Sequence, residues 1–175
     1  MALLRAALAV LVLLGALLDV AAEEQPPAKE LFGAAATPAA ATPARVIGSY
    51  AKGCLAGGQA LSVDGPAWQA MRLSRNRVWA HPDLIALIER LAVEAQADGW
   101  PGLLVGDIAQ PRGGPMRTGH ASHQIGLDVD LWLTPMPRRT LSAQERESLS
   151  AVSMLVPGQR TADPARLTAA HRALI

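Results

Sequence analysis

The most regular alternation of apolar and polar positions lies downstream of Pro82. Leu84, Leu87, Ile88 and Leu91 recur at helical spacing with Glu89, Arg90 and Glu94 between them, which predicts an amphipathic helix. Proline suits the first helical turn, where its missing N–H would be unpaired anyway. Gly99 and Pro101 stop the helix. Leu103-Leu104-Val105 reads as a short buried strand ending at Gly106-Asp107, and Gln110 to Thr118, with Pro111, Gly113, Gly114 and Pro115, reads as a loop. From Gly126 to Leu133 the period changes to two. Leu127, Val129, Leu131 and Leu133 fall on one face and Asp128, Asp130 and Trp132 on the other, as in a strand with one side on a core. Pro135 and Pro137 end that run. Ser142 to Val156 and Asp163 to Ile175 read as helices, the second opened by an Asp163-Pro164 cap. Upstream, order is expected to begin near Val46, with glycines at 48, 53, 57 and 58 marking loops and short extended pieces. The pattern predicts an α+β fold, a small antiparallel sheet with flanking helices.

Residues 1–22 have a different grammar. Arg5 precedes an apolar stretch centred on Leu11 to Leu18, and Val20-Ala21-Ala22 offers small residues before Glu23 and Glu24. This predicts a signal peptide cleaved after Ala22; an uncleaved anchor is the alternative, although the run is short of the roughly 20 residues a span needs. No later stretch is apolar enough to cross a bilayer, so the mature chain is expected to be soluble in an envelope compartment without stable membrane insertion. Residues 23–45, rich in Ala, Pro and Thr, lack the apolar density to offset their ordering entropy and read as a flexible leader. The folded domain is then 46–175.

Composition adds limits. The chain is 50% apolar but only 3% aromatic, so its core rests on Leu, Val, Ile and Ala. A net charge of +1 with scattered arginines gives no clustered basic footprint, and nucleic acid is not an expected partner. Cys54 is the only cysteine. An odd cysteine in an exported protein asks for a partner; the other reading is a small buried thiol.

The chemistry concentrates in Gly119-His120-Ala121-Ser122-His123-Gln124-Ile125-Gly126-Leu127-Asp128-Val129-Asp130. Two imidazoles sit at the mouth of the expected strand and two carboxylates lie on one of its faces. Imidazole nitrogen and carboxylate oxygen suit zinc, and a catalytic zinc keeps three protein ligands and one water. Asp107 could line the cleft or cap a turn. Asp128 could orient a ligand histidine or sit at a solvated edge. Trp132 shares the Asp130 face and could touch substrate.

Ser122-His123-x-x-Gly126-x-x-x-Asp130 resembles the first metal motif of the metallopeptidases that group lysostaphin, D-Ala-D-Ala peptidases and hedgehog domains. The longer run from Gly119 to Asp130 is more specific and resembles the signature of the penicillin-insensitive murein endopeptidases. Ile47-Gly48-Ser49, Gly53-Cys54, Met71-Arg72, His81-Pro82-Asp83-Leu84, Gly106-Asp107 and Gly113-Gly114 agree in order. The resemblance spans roughly residues 46–156. It implies a periplasmic, zinc-dependent endopeptidase that cuts murein cross-links, notably between D-alanine and meso-diaminopimelate. It assigns His123 and Asp130 as zinc ligands and His120 as a third metal-associated histidine, with peptidoglycan as partner.

The chain departs from that family downstream. A later His-x-His motif, expected to supply a further ligand and the catalytic base, has no match. His171 is expected on a solvated helix face rather than at the metal. Pro157 and Arg160 stand where the family has an Asp and a His of a second site, so no second metal is expected. The family cysteine that pairs with the Cys54 position is also absent. These departures imply a copy incomplete at its C-terminus, with an incomplete sheet and an alternative role as a non-catalytic binder of metal or peptidoglycan.

Overall fold

A computed structural model describes residues 25–175; the expected signal peptide lies outside them. The first helix, α1 (Ala28–Gly33), falls within the segment read as a flexible leader. It buries no residue, but Phe32 reaches the backbone of Gly114, and Glu30 pairs with Arg117 at 2.7 Å. Those long-range contacts, invisible in local composition, are what give this segment a place on the domain. Strands β1 (Arg45–Ser49) and β2 (Lys52–Ala56) form an antiparallel hairpin, with Ile47 opposite Cys54.

The core is built around a strand–helix–strand unit. β4 (Trp68–Ala70) leads through β5 (Trp79–Ala80) into α2 (Pro82–Ala97) and on to β6 (Leu103–Val105). A short β3 (Gln59–Ala60) pairs with β5. β6 lies parallel to β4 and antiparallel to β7 (Leu131–Trp132). The α+β expectation holds, and the central sheet is mixed, because α2 carries the chain back over the sheet between β4 and β6. All three β6 residues are buried, as a strand covered on both faces requires. Leu103 and Val105 join the main core, and Leu104 joins a smaller cluster with Met71 and Leu141.

The expected helix spans 16 residues. His81 caps it, its Nδ1 accepting from Asp83 N at 3.3 Å, and Asp83 in the first turn complements the helix dipole. The buried stripe is Leu84, Ile85, Ile88, Ala92 and Ala95, whereas Leu87 is exposed. Ala92 and Ala95 share the buried cluster with Trp100 and the sheet residues Leu103 and Val105. Among the described residues no helix is long and apolar enough to cross a membrane.

Three expected elements are shorter than their patterns suggested. The strand expected over 126–133 is regular only at Leu131–Trp132; the partner strand β6 is itself three residues long, and Leu127 is exposed. The helix expected over 142–156 is α3 (Ala143–Ser148), which ends where Leu149 turns extended. The helix expected from Asp163 is α4 (Ala169–Leu174), preceded by a turn in which Asp163 Oδ1 accepts from Ala165 N at 2.9 Å.

A buried arginine ties α3 to the sheet. Arg146 Nε donates to Leu141 O at 3.1 Å, and Nη1 to Val63 O at 2.9 Å and Ala70 O at 3.1 Å. Nη2 pairs with Asp64. His171, expected on a solvated face, is buried. Thr168 Oγ1 lies 2.7 Å from its Nδ1, and its Nε2 lies 3.0 Å from Leu133 O. Ala169, Ala170 and Ala173 stay exposed, and the buried imidazole is met edge-on by the Trp100 ring at 4.9 Å.

Candidate metal centre

The site forms where β6 and the approach to β7 meet. Beyond the last β6 residue the two chains stay joined: Gly106 N donates to Asp130 O at 2.7 Å and Asp130 N to Asp107 O at 3.0 Å. This places the Asp130 carboxylate at the mouth of the sheet. Gly106 permits the approach, since a Cβ there would lie 2.9 Å from Trp132 Nε1 and 3.1 Å from Asp130 Cβ.

The loop carrying the imidazoles is held from behind. Gln124 is buried; its Nε2 donates to Ala51 O at 2.9 Å and Ala121 O at 3.0 Å, and its Oε1 accepts from Gly53 N at 3.2 Å. The loop is thereby tied to the β1–β2 turn. Arg77 Nη2 donates to Thr118 O at 2.6 Å. His123 itself has φ +64°, a sparsely populated conformation for a residue with a side chain, of the kind that clusters at functional sites.

The structure brings together His120, His123 and Asp130. One donor atom from each lies within 4.8 Å of the others. His123 Nε2 is 3.5 Å from Asp130 Oδ1, and His120 Nε2 is 3.5 Å from Asp130 Oδ2. His123 is buried, while His120 is half exposed and the loosest member. Asp128 takes the orienting role rather than the solvated edge. Its Oδ2 is 2.7 Å from His123 Nδ1 and also accepts from His123 N at 3.2 Å. An Nδ1–H donated to Asp128 leaves the Nε2 lone pair facing Asp130.

That arrangement fits a metal ion. His123 Nε2 is buried with no hydrogen-bond partner, and such orphaned polar groups are rare in folded proteins. Two ligands about 2.1 Å from one tetrahedral zinc lie about 3.4 Å apart, close to the 3.5 Å between Nε2 and Oδ1. Without an ion, the same carboxylates favour a proton on His123. Burial works against charging His123, yet the nearby Asp130 and Asp128 carboxylates outweigh it and raise its pKa above 6.5. The same His123 contact lowers the Asp130 pKa against opposing burial, with help from the charges of His120 and Arg75.

Asp107 lines the cleft and caps no turn. It is buried, with Oδ2 accepting from Arg77 Nη1 at 2.6 Å and Arg75 Nη1 at 3.0 Å. Trp132 forms a wall, with the Arg72 guanidinium 5.8 Å from its ring centre. Arg75 and Arg77 escaped the sequence reading, and Gln124 entered it only as part of the 119–130 run, without a role. The one available signal was the arginine spacing at 72, 75 and 77, close to a matching Met71-Arg72 pair. Cys54 is a half-buried free thiol on β2.

Fold and site together define an α+β protein with a His/His/Asp group whose donor atoms lie close enough to share one metal ion. The family model described as penicillin-insensitive murein endopeptidase matches residues 46–175. A penicillin-insensitive murein endopeptidase of Haemophilus influenzae is 55% identical over 87 residues, covering 50% of this chain and 30% of that protein. One of Pectobacterium atrosepticum is 46% identical over 110 residues, 63% of this chain and 38% of the relative. One of Salmonella paratyphi B is 41% identical over 130 residues, 71% and 47% respectively. The chain belongs to the penicillin-insensitive murein endopeptidase family. It spans less than half the length of these curated relatives.

Proposed function

We propose that this chain is a zinc-dependent endopeptidase acting in the periplasm on murein cross-links, at the bond between D-alanine and meso-diaminopimelate. The observation that carries the reading is the orphaned, buried Nε2 of His123 facing the Asp130 carboxylate at 3.5 Å. His120, His123 and Asp130 would hold the ion. When bound, zinc supplies Lewis acidity toward the scissile carbonyl and lowers the pKa of a coordinated water to about 7. The chain's own residues do the positioning. Asp128 fixes the His123 tautomer, Gly106 and Asp107 fix Asp130, and Trp132 walls the cleft against which a peptide would lie. The mechanism uses no acyl-enzyme serine, which accords with insensitivity to penicillin.

A second reading is a protein that binds metal or peptidoglycan without turnover. It is favoured by the company of the other two histidines, since His81 caps α2 and His171 is buried against Leu133 O and Thr168. Neither can serve as a base at the cleft.

Zinc content of the purified protein and release of uncross-linked muropeptides from murein test the first reading. Expected are about one zinc per chain and EDTA-sensitive release that disappears in His123→Ala. Zinc without release supports the second reading, and absence of both rejects the metal site.

A further inference from the structure

The cleft beside the metal group is flanked by cations that the His/Asp set leaves unused. It encloses about 260 Å³ and is bordered by Arg72, Arg75, Asp107, His120, Asp130 and Trp132 among others. Arg75 Nη1 and Arg77 Nη1 donate to the same oxygen, Asp107 Oδ2, so one carboxylate faces two guanidiniums. Arg77 is buried and its other side is used by Thr118 O. Arg75 is 44% exposed and has no further hydrogen-bond partner among the described residues. The accessible guanidinium is therefore that of Arg75, and its charge is also felt by Asp130 and Glu147.

The other charged groups nearby are already engaged. Glu147 is held by Ser74 N and Oγ, each at 2.8 Å. Asp130 faces the two histidines. Arg72 donates to Leu149 O at 2.7 Å while its guanidinium lies over Trp132. Arg75 is also held in place. It ends a single 3₁₀ turn, Leu73–Arg75, bracketed by left-handed Arg72 (φ +56°) and Asn76 (φ +50°). Among the described residues the only other non-glycine residue with positive φ is His123. Left-handed backbone at residues with side chains persists only where surroundings over-determine it, and Arg72 is one of the residues that border the cleft. Asn76 is secured by Trp79 Nε1 at 2.8 Å.

We propose that Arg75 anchors a carboxylate of the substrate peptide. The cleft would thereby select peptides with a free carboxylate beside the bond presented to His120, His123 and Asp130. This rests on the murein reading, because stem peptides supply such carboxylates. An exposed guanidinium that uses only Nη1 within the protein has N–H groups left for one carboxylate. A guanidinium whose Nη1 is fixed from below by a buried Asp presents its remaining N–H groups as a pre-oriented fork. Asp107 is thus a positioning residue for Arg75, and Trp132 forms a flat wall beside it.

The test uses the zinc-loaded full chain and a monomeric stem peptide, which has no cross-link to cut, in free-acid and amidated forms. Calorimetry should give the free acid about tenfold tighter binding than the amide, the size of one charge-assisted contact. Arg75→Gln should erase that preference, leaving affinity for the amide unchanged, and Arg75→Lys should restore part of it. Equal binding of both peptides by the unaltered protein, or binding of neither, overturns the proposal. So does an Arg75→Gln protein that weakens both equally. Should that variant fail to fold, the acid-to-amide ratio of the unaltered protein and its decline with salt decide the matter. A retained acid preference alongside uncut murein would sink the hydrolase reading and leave the anchor standing.

Discussion

His123 keeps its two ring nitrogens in different company. Nδ1 is 2.7 Å from Asp128 Oδ2, and Nε2 is buried without a hydrogen bond, 3.5 Å from Asp130 Oδ1. Replacing Asp128 by Asn removes the charge that favours an Nδ1–H donor and lets the amide present either face. Zinc affinity, measured by competition with a chromogenic chelator, should fall about 10–100-fold, with little change in melting temperature of the metal-free protein. An unchanged affinity would show that the loop alone orients the ring. The carboxylate pair was legible in the sequence because alternation alone puts positions 128 and 130 on one side, even where no regular strand forms. The Arg75–Asp107–Arg77 trio was not, because its partners meet across about thirty residues of chain and nothing local announces them.

Elements differ in how far their own sequence decides them. Helix α2 was legible because its period repeats over four turns and its ends carry proline and glycine signals. Helix α3 was over-extended by pattern, since Leu149, Val152 and Leu155 have helical spacing but are exposed; its length is set by its caps. At its start Ser142 Oγ accepts from Glu145 N at 3.2 Å and Ser142 N donates to Glu145 Oε2 at 2.8 Å, a capping box. The Arg139 hydrogen bond, followed by that of Ser142 N, depresses the Glu145 pKa from 4.5 to about 2. A depressed folded pKa means that the cap's contribution is complete above pH 4.5 and is lost as pH falls toward 2. Protection factors of the Ala143–Ser148 amides, relative to their intrinsic rates, should therefore fall across that window ahead of those of α2, and Glu145→Gln should remove the share of the acid dependence that Glu147 does not supply. At the other side of the same helix, Arg146→Ala takes a donor from the carbonyls of the buried Leu141 and Ala70 and from that of Val63, which keeps Ala70 N at 2.9 Å. Asp64 can rehydrate because it is half exposed. The cost expected from denaturant unfolding is about 2–4 kcal/mol. A cost below about 0.5 kcal/mol, the range of ordinary surface substitutions, would mean that water replaces the guanidinium.

At the scale of the molecule, the metal group joins parts of the chain that the core does not otherwise connect. His120 and His123 sit on the loop held by Arg77 and Gln124, and Asp130 leads into β7, whose Leu131 packs against the main cluster and whose Trp132 packs against the smaller one. A cation gripped by all three closes the loop onto the sheet, so it binds the folded chain far better than the unfolded one. Linkage then sets the size of the effect. At free zinc one hundred times the dissociation constant, the folded state gains about 2.7 kcal/mol. For a chain of this size that corresponds to a rise in melting temperature of about 5–10 °C. The rise should be reversed by chelator and absent in Asp130→Asn, where the shared ligand has lost its charge. It should shrink as pH falls, starting above pH 6.5 because the His123 pKa is raised, as protons come to compete with the ion for that ring. An equal rise in Asp130→Asn would mean that zinc acts elsewhere, for example at Cys54, and that the His/His/Asp group is not what couples metal to the fold.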